Sequence, residues 1–120
     1  MFSRGVRGAI TLEENTKESM QSAVIELLNE MIKKNDIDKN DISFAIFTVT
    51  KDIDVDFPAK YARLYCGFSE VPMMCYNELP VENGLKKCLR VLLNINTNKL
   101  QNEIKHIYLK GAKILREDIK

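Results

Sequence analysis

The 120-residue sequence lacks most of the features that mark nucleic-acid-binding, membrane and secreted proteins. Lys plus Arg total 18 against 17 for Asp plus Glu, so the net charge of +1 is too small to attract a nucleic acid or a membrane surface through bulk charge. No apolar run reaches the roughly 18 residues that a spanning helix requires. The opening residues, MFSRGVRGAI, contain arginines and glycines where a signal peptide has an apolar stretch. We therefore expect a cytoplasmic protein without nucleic-acid or membrane partners.

Cysteine and histidine are also scarce, which excludes several kinds of catalytic and metal site. Cys66, Cys75 and Cys88 are odd in number and widely spaced, so they predict a reducing compartment rather than a disulfide framework or a zinc site. The one histidine, His106, is interpreted as an exposed strand residue, and Cys75 as a buried, inert thiol. No GxSxG, P-loop or GxGxxG motif occurs. The sequence thus offers no evident acid–base or nucleophilic machinery.

Hydrophobic periodicity predicts a single domain, residues 1–120, of the α+β class. The expected architecture is a mixed five-stranded sheet with one long helix and short helical turns. Strands are expected at residues 2–10, 42–50, 71–79, around Arg90 within 84–96, and at 105–115 with a break at Gly111. Asn83 and Gly84 are expected to turn the chain into the Arg90 strand.

The predicted helices leave part of the sheet without a covering layer. A capping box of Asn15 and Glu18 is expected to start the long helix, and a short helix is expected over 56–67, ending at Gly67. One long helix cannot cover both faces of five strands, although several strands carry apolar residues on both faces. The second face is therefore expected to meet another copy of the chain, with Arg90 near the interface.

Arg90 is the most informative residue because it interrupts an otherwise apolar strand. Alternate positions form one aliphatic face: Leu89, Val91, Leu93 and Ile95. On the other face Arg90 stands between Cys88 and Leu92, where an unpaired charge costs several kcal/mol. The sequence leaves three interpretations open: a solvent-facing arginine, a core ion pair, or a cation that awaits a ligand.

Arg7 raises a similar question in the first strand. It shares a face with Ser3, Gly5 and Ala9, whose small side chains leave a hollow beside the guanidinium. Alternatively, Gly5 and Gly8 serve only to allow close packing of the strand. Further cations and polar groups stand on other elements, namely Lys60, Arg63, Arg116, Glu78, Cys75 and Tyr108. Such a set can bind an anionic small molecule and stabilise charge that develops within it, without proton transfer.

Five segments carry a resemblance to a known family: RGVRGAITLEENT, FPAKYAR, VPMMCYNEL, GLKKCLRVLL and HIYLKGAKILR. Together they strongly resemble the small single-domain bacterial chorismate mutases of the trimeric pseudo-α/β-barrel type. The resemblance implies a homotrimer with active sites in clefts between adjacent subunits. It also implies the rearrangement of chorismate to prephenate in phenylalanine and tyrosine synthesis, with no metal or cofactor.

The resemblance also implies roles for individual residues. Arg90 would reach the breaking ether oxygen and a carboxylate, Arg7 would hold a carboxylate, and Glu78 would accept from the ring hydroxyl. The remaining substrate-binding residues would be Tyr108, Cys75, Phe57, Ala59, Lys60, Met73, Met74, Arg63, Leu115 and Arg116. Among these, Phe57, Ala59 and Lys60 would come from the neighbouring subunit.

Three features depart from the family pattern or conflict with it. Met74 stands where the family usually has a small polar residue, and the chain ends at Lys120, earlier than in familiar members. Cys75 and Glu78 fall on opposite faces of a regular strand, a conflict that a bulge near Asn77 would resolve. The competing interpretation is a non-catalytic trimeric anion-binding module, related in architecture to the reactive-enamine deaminases.

Overall fold

The computed structural model describes the backbone of residues 1–119 and the side chains of residues 1–115. The described chain contains five strands, two α-helices and three 3-10 segments. In chain order the elements are β1 (Phe2–Thr11), α1 (Lys17–Lys34), β2 (Ile42–Val49), α2 (Pro58–Tyr65), β3 (Met73–Asn77), β4 (Cys88–Thr97), β5 (Ile107–Leu109) and a final 3-10 helix (Lys110–Ile119), with single 3-10 turns at Lys39–Asp41 and Gln101–Glu103.

The strands form one mixed five-stranded sheet in the order β3-β2-β4-β1-β5. The central strand β4 is antiparallel to both β1 and β2, whereas the edge strands β3 and β5 run parallel to their neighbours. This arrangement confirms the predicted α+β class with a mixed five-stranded sheet.

Both helices pack on one face of the sheet and enclose the main core. The aliphatic face of β4 is buried there, together with the apolar stripe of α1: Met20, Ala23, Val24, Leu27, Leu28 and Met31. The opposite face, called the open face below, has no helical layer along much of its length in the described chain. It exposes large side chains, namely Phe44, Met74, Tyr76 and Leu92. The expectation that one sheet face would stay uncovered is therefore confirmed for the single chain.

The start of α1 differs from its prediction by one residue. Thr16 is the N-cap, and its hydroxyl accepts a hydrogen bond from the Ser19 amide at 3.1 Å. The predicted Asn15–Glu18 capping box is therefore wrong. Asn15 instead exchanges two hydrogen bonds with Asp54, one through each amide atom, at 2.8 and 3.2 Å. Its side chain joins two loops rather than capping the helix.

The last strand is shorter than predicted. β5 ends at Leu109 because Lys110 adopts a left-handed conformation, with φ of 53°. The chain then forms a 3-10 helix, where the Gly111 amide donates to Thr11 Oγ1 at 2.9 Å. The prediction of a strand through residue 115 is therefore wrong, although the break does lie next to Gly111.

The turn at Asn83–Gly84 does not form a hairpin. Asn83 has a positive φ of 66°, and the Gly84 amide donates to the Val81 carbonyl at 3.1 Å. β3 and β4, however, are separated in the sheet by β2. The segment is therefore a wide loop over the end of the sheet, and residues 78–87 are called the β3–β4 loop below.

Gly8 offers a direct test of how closely α1 approaches the sheet. A Cβ at Gly8 would overlap Met31 Sδ and lie 3.1 Å from Leu27 Cδ1, whereas a Cβ at Gly5 would meet only Leu92 Cδ1 at 3.5 Å. We predict that Gly8→Ala lowers the free energy of unfolding by about 1–3 kcal/mol, because a packed core resists an added methyl group. Gly5→Ala is the matched control on the other face, and denaturant titration measures both. Equal stability of the two variants would show that the contact is not tight.

Candidate active site

The open face brings three of the predicted site residues together. In the sheet register, Arg90 of β4 lies opposite Ala9 of β1, and Ala9 lies opposite Tyr108 of β5. Arg7 is two positions from Ala9 on the same face and pairs with Leu92, so it is a diagonal neighbour of Arg90. Arg7, Arg90 and Tyr108 thus surround one small side chain.

Glu78 comes to Arg90 from the other side. Its amide donates to the Val49 carbonyl at 3.0 Å, which holds it beside β2 immediately after β3 ends. Glu78 Oε1 lies 2.8 Å from Arg90 Nε, and the two side chains are 15% and 33% exposed. The Nε–H bond does not point at the oxygen well enough for a hydrogen bond, so the contact is an ion pair.

Three polar atoms at this ion pair have no hydrogen-bond partner. Among the described side chains, Thr48 Oγ1, Glu78 Oε2 and Arg90 Nε are buried without a hydrogen-bond partner. Thr48 lies opposite Arg90 in the β2–β4 ladder, so all three atoms belong to one place. Because a buried polar atom without a partner costs about 1–3 kcal/mol, this cluster of donors and acceptors is typical of a ligand site.

These groups line an open cleft of about 870 Å³ between the end of β2 and the β3–β4 loop. Thr48, Glu78 and Arg90 contribute to its lining, whereas Arg7 and Tyr108 do not. Tyr108 is buried beside the cleft in a small apolar cluster with Ala9, Cys88 and Ala112, and Leu115 packs against this cluster. The described part of the final 3-10 helix therefore covers the site's edge.

The charges and thiols around the cleft disfavour nucleophilic chemistry. Burial raises the pKa of the Cys88 thiol to about 11, against the opposing influence of Arg90. Burial also raises the pKa of Cys75, against a hydrogen bond from the Ala59 amide. Both thiols are therefore uncharged near neutral pH, and for the half-buried Cys75 this agrees with its interpretation as an inert thiol. Burial likewise raises the pKa of the Glu78 carboxyl, and Arg90 acts to lower it.

A second group of predicted site residues lies at the N-terminal end of α2, which packs on α1 and β3 across the sheet from the open face. Asp56 organises this group, since it accepts from the Phe57 amide at 2.8 Å and pairs with Lys60 Nζ at 3.0 Å. The hydrogen bond from Lys60, followed by that from Phe57, lowers the pKa of Asp56 to about 2. Phe57 itself is 69% exposed.

Cys75 belongs with this second group rather than with Glu78. Met73 and Cys75 pack against the main core, and the Ala59 amide lies near enough to the Cys75 thiol to oppose the rise in its pKa. The β2–β3 register runs without a shift from Met73 to Asn77. The bulge predicted near Asn77 is therefore not found in the described ladder.

The remaining predicted residues are placed as follows. Met74 is exposed on the open face, where its sulfur accepts from the Tyr76 hydroxyl at 3.2 Å. Arg63 is exposed on the last turn of α2. The side chain of Arg116 lies outside the described residues.

The sequence interpretation missed two residues of the cleft, Thr48 and Asp52. Thr48 could have been found from the alternation within β2, which places it on the opposite face from Phe47 and Val49. No sequence pattern identifies Asp52, which joins the cleft only through the path of the β3–β4 loop. In the described residues, no helix combines the length and apolar character needed to cross a membrane.

The fold and the site together define a class: a small α+β protein with an arginine–glutamate ion pair in a cleft on an open sheet face. The family model for chorismate mutase type I matches residues 3–119. The chain therefore belongs to the chorismate mutase type I family.

Individual relatives agree with this assignment. The chain is 37% identical to chorismate mutase AroH of Bacillus subtilis (strain 168) over 119 residues, which cover 99% of this chain and 94% of the relative. It is 42% identical to chorismate mutase AroH of Thermus thermophilus over 117 residues, 97% of this chain and 95% of the relative. A solved chorismate mutase from Clostridium thermocellum matches with a TM-score of 0.89 and 44% identity, covering 92% of this chain and 97% of that one.

Proposed function

We propose that this chain converts chorismate to prephenate, an isomerase reaction, and that Arg90 supplies the charge that lowers the barrier. One C–O bond breaks while one C–C bond forms within the same molecule, so the reaction transfers no proton and needs no nucleophile. As the C–O bond lengthens, negative charge develops on the ether oxygen. A fixed guanidinium beside that oxygen interacts more strongly with the transition state than with the ground state, which is the requirement for catalysis.

The observation that carries this proposal is the set of unsatisfied atoms around Arg90. Arg90 Nε is a donor, Glu78 Oε2 an acceptor and Thr48 Oγ1 both, and each is buried at an open cleft without a hydrogen-bond partner, although Arg90 Nε forms an ion pair with Glu78 Oε1. Chorismate offers complementary groups: an ether oxygen and carboxylates for the guanidinium, and a ring hydroxyl for the carboxylate. The planar guanidinium can contact two such oxygens at once, which a point charge cannot do.

We assign the other contacts of the open face by their position around Arg90. Arg7, the diagonal neighbour of Arg90, holds a substrate carboxylate, and Tyr108 contributes a hydrogen bond from the adjacent strand. Leu115 covers the apolar side of the site beside Tyr108. We also propose Arg63, which lies on α2, and Arg116 as cations at the mouth of the cleft, and Met74 as a bulky wall.

We further propose that the active site is completed by a neighbouring copy of the chain in a homotrimer. Phe57, Ala59, Lys60, Met73 and Cys75 lie on the opposite side of the sheet from Arg90, so one chain cannot direct both groups at one substrate. The exposed apolar side chains of the open face also favour association with a second copy. Trimerisation of the sheets would form a pseudo-α/β barrel, with Cys75 reaching the substrate from the same subunit as Ala59.

The domain extent and the cellular compartment are also part of the proposal. We propose that residues 1–120 form one chorismate mutase domain, which the family match over residues 3–119 supports. We also propose a cytoplasmic enzyme, since all three cysteines are free thiols.

The test is the loss of chorismate absorbance with purified protein, with prephenate identified as the product. Turnover well above the uncatalysed rate supports the proposal, and the uncatalysed rate alone overturns it. The non-catalytic anion-binding module predicts a thermal shift with prephenate but no product. The comparisons give that alternative no support, because each relative described above is a chorismate mutase by name.

Glu78 predicts an acidic limb in the pH profile. Burial raises the pKa of its carboxyl above the usual 4.5, so as the pH falls the carboxylate is lost earlier than for an ordinary glutamate. We expect kcat/KM to fall on the acid side at a pH above 4.5. Glu78→Gln should have a lower kcat/KM without this limb, because an amide cannot titrate. The same limb in the variant would assign the titration to another group.

The stability of Glu78→Gln should not fall together with its activity. A carboxyl whose pKa is raised by folding contributes stability below its unfolded pKa, and this contribution is lost as the pH rises through the folded pKa. At pH 7 the ionised Glu78 therefore opposes folding, and Glu78→Gln should not lower Tm. A marked loss of Tm at pH 7 would contradict this sign.

A further inference from the structure

The carboxylate of Asp52 holds the chain where it enters β4. Asp52 follows the end of β2, and both of its oxygens accept from the Lys87 amide, at 3.1 and 2.9 Å. Oδ1 also accepts from the Thr50 hydroxyl. Charge-assisted bonds of this kind are stronger than neutral ones, so the carboxylate fixes one particular path for residue 87.

The path that it fixes is a strained one. Lys87 has a φ of 48°, a left-handed conformation that is unfavourable for a residue with a Cβ. The Lys87 carbonyl accepts from the Leu12 amide at 2.8 Å, and its Nζ donates to the Glu13 carbonyl at 3.1 Å. The conformation therefore persists because bonds on several sides of the residue require it.

The same carboxylate also acts on the next residue through Thr50. The Thr50 hydroxyl donates to Asp52 and accepts from the Cys88 amide at 3.0 Å, while the Thr50 amide donates to the Cys88 carbonyl at 3.1 Å. Asp52 thereby orients the hydroxyl that receives Cys88, the first residue of β4. Arg90 stands two residues further on, on the same face as Cys88.

Burial at this position would by itself raise the pKa of Asp52, but the bonds from Thr50 and Lys87 together lower it. The group is thus ionised at neutral pH, within the lining of the cleft that contains Arg90. Its charge is directed at the Lys87 amide and the Thr50 hydroxyl rather than into the cleft. This geometry suits a support for Arg90 and not a group that contacts substrate.

We propose that Asp52 is a positioning residue: it fixes Lys87 and Cys88 so that the Arg90 guanidinium is held at the point where charge develops. The inference rests on the proposed function, because its main readout is chorismate turnover. If Asp52 merely stabilised the fold, its loss would lower Tm and leave kcat unchanged in the folded fraction.

The experiment compares Asp52→Ala with Asp54→Ala, in which a nearby carboxylate that bonds Asn15 is removed instead. We expect Asp52→Ala to lower kcat by about tenfold or more with a smaller change in KM, the loss typical of removing hydrogen bonds to a charged group. Asp54→Ala should retain kcat within about twofold. If Asp52→Ala does not fold at the assay temperature, Asp52→Asn is assayed in its place. This variant keeps one acceptor oxygen, so we expect a smaller loss of kcat.

Two double variants separate positioning from general stability. In an Arg90→Lys background, Asp52→Ala should lower kcat by less than it does in the wild type, because both changes act through one guanidinium. Lys87→Gly relieves the left-handed strain and should recover part of the kcat lost in Asp52→Ala. Full additivity with Arg90→Lys, or no recovery by Lys87→Gly, would overturn the proposal.

The outcomes distinguish this inference from the proposed function. A wild-type enzyme without mutase activity refutes both. An active wild type whose Asp52 variants retain normal kcat refutes the positioning role alone.

Discussion

Replacement of Arg90 by alanine should lower kcat/KM for chorismate by a hundredfold or more. The loss follows from removing a fixed charge at an oxygen that becomes negative, since one such donor is worth about 3 kcal/mol in the transition state. The variant also leaves Glu78 without its partner, so substrate carboxylates would meet an uncompensated carboxylate at 15% exposure. Initial rates of chorismate loss, measured across substrate concentration, give the value.

Two further arginine variants sharpen this result. Arg90→Lys keeps the charge but not the planar fork, so we expect it to remain at least about tenfold below wild type. Arg4→Ala is the matched control, because Arg4 is on the opposite face of β1 and bonds the Lys99 carbonyl at 3.1 Å. Near-normal turnover in Arg90→Lys would show that charge alone suffices. A loss in Arg4→Ala equal to that in Arg90→Ala would point to the fold instead.

Much of the fold was predictable because its information is local. The alternation in β4 and the i, i+3, i+4 spacing in α1 each require only a short window of sequence, and both elements were confirmed. The errors lie where a single backbone conformation decides the outcome. β5 ends because Lys110 adopts a left-handed conformation, which the residue type lysine does not predict. The α1 cap moved from Asn15 to Thr16 because Asn15 bonds a loop that is distant in sequence.

The site was predictable only in part, for the same reason. The sequence could show that Arg90 needs a partner, because its face of β4 is apolar on either side. It could not show that the partner is Glu78, which requires β2 to lie between β3 and β4. The role of Asp52 depends on the left-handed turn at Lys87, and neither residue type predicts it. Cys75 and Glu78 do lie on opposite faces of the sheet, as the alternation of a regular strand predicts.

Mixing two impaired variants should restore activity above that of either variant alone if each site is shared between chains. Lys60→Ala removes a cation from the α2 group, the predicted site residues at the N-terminal end of α2. It should lower kcat/KM by about tenfold or more. When Lys60→Ala and Arg90→Ala chains assemble together, a site is intact when its Arg90 comes from the Lys60→Ala chain and its Lys60 comes from the Arg90→Ala chain. Each mixed trimer contains one such site in three, so about one third of the sites in the purified mixed trimers should regain wild-type turnover. Co-expression with two different tags, followed by tandem purification, isolates the mixed oligomers for assay.

The control pair is Arg90→Ala with Glu78→Gln. These side chains form an ion pair within one chain, so no mixture can place an intact Arg90 and an intact Glu78 in the same site. Recovery with Lys60→Ala but not with Glu78→Gln would establish that the open-face group and the α2 group of different chains meet at one substrate. Recovery in neither mixture would mean that the two groups serve separate functions. The shared cleft between neighbouring chains would then be excluded.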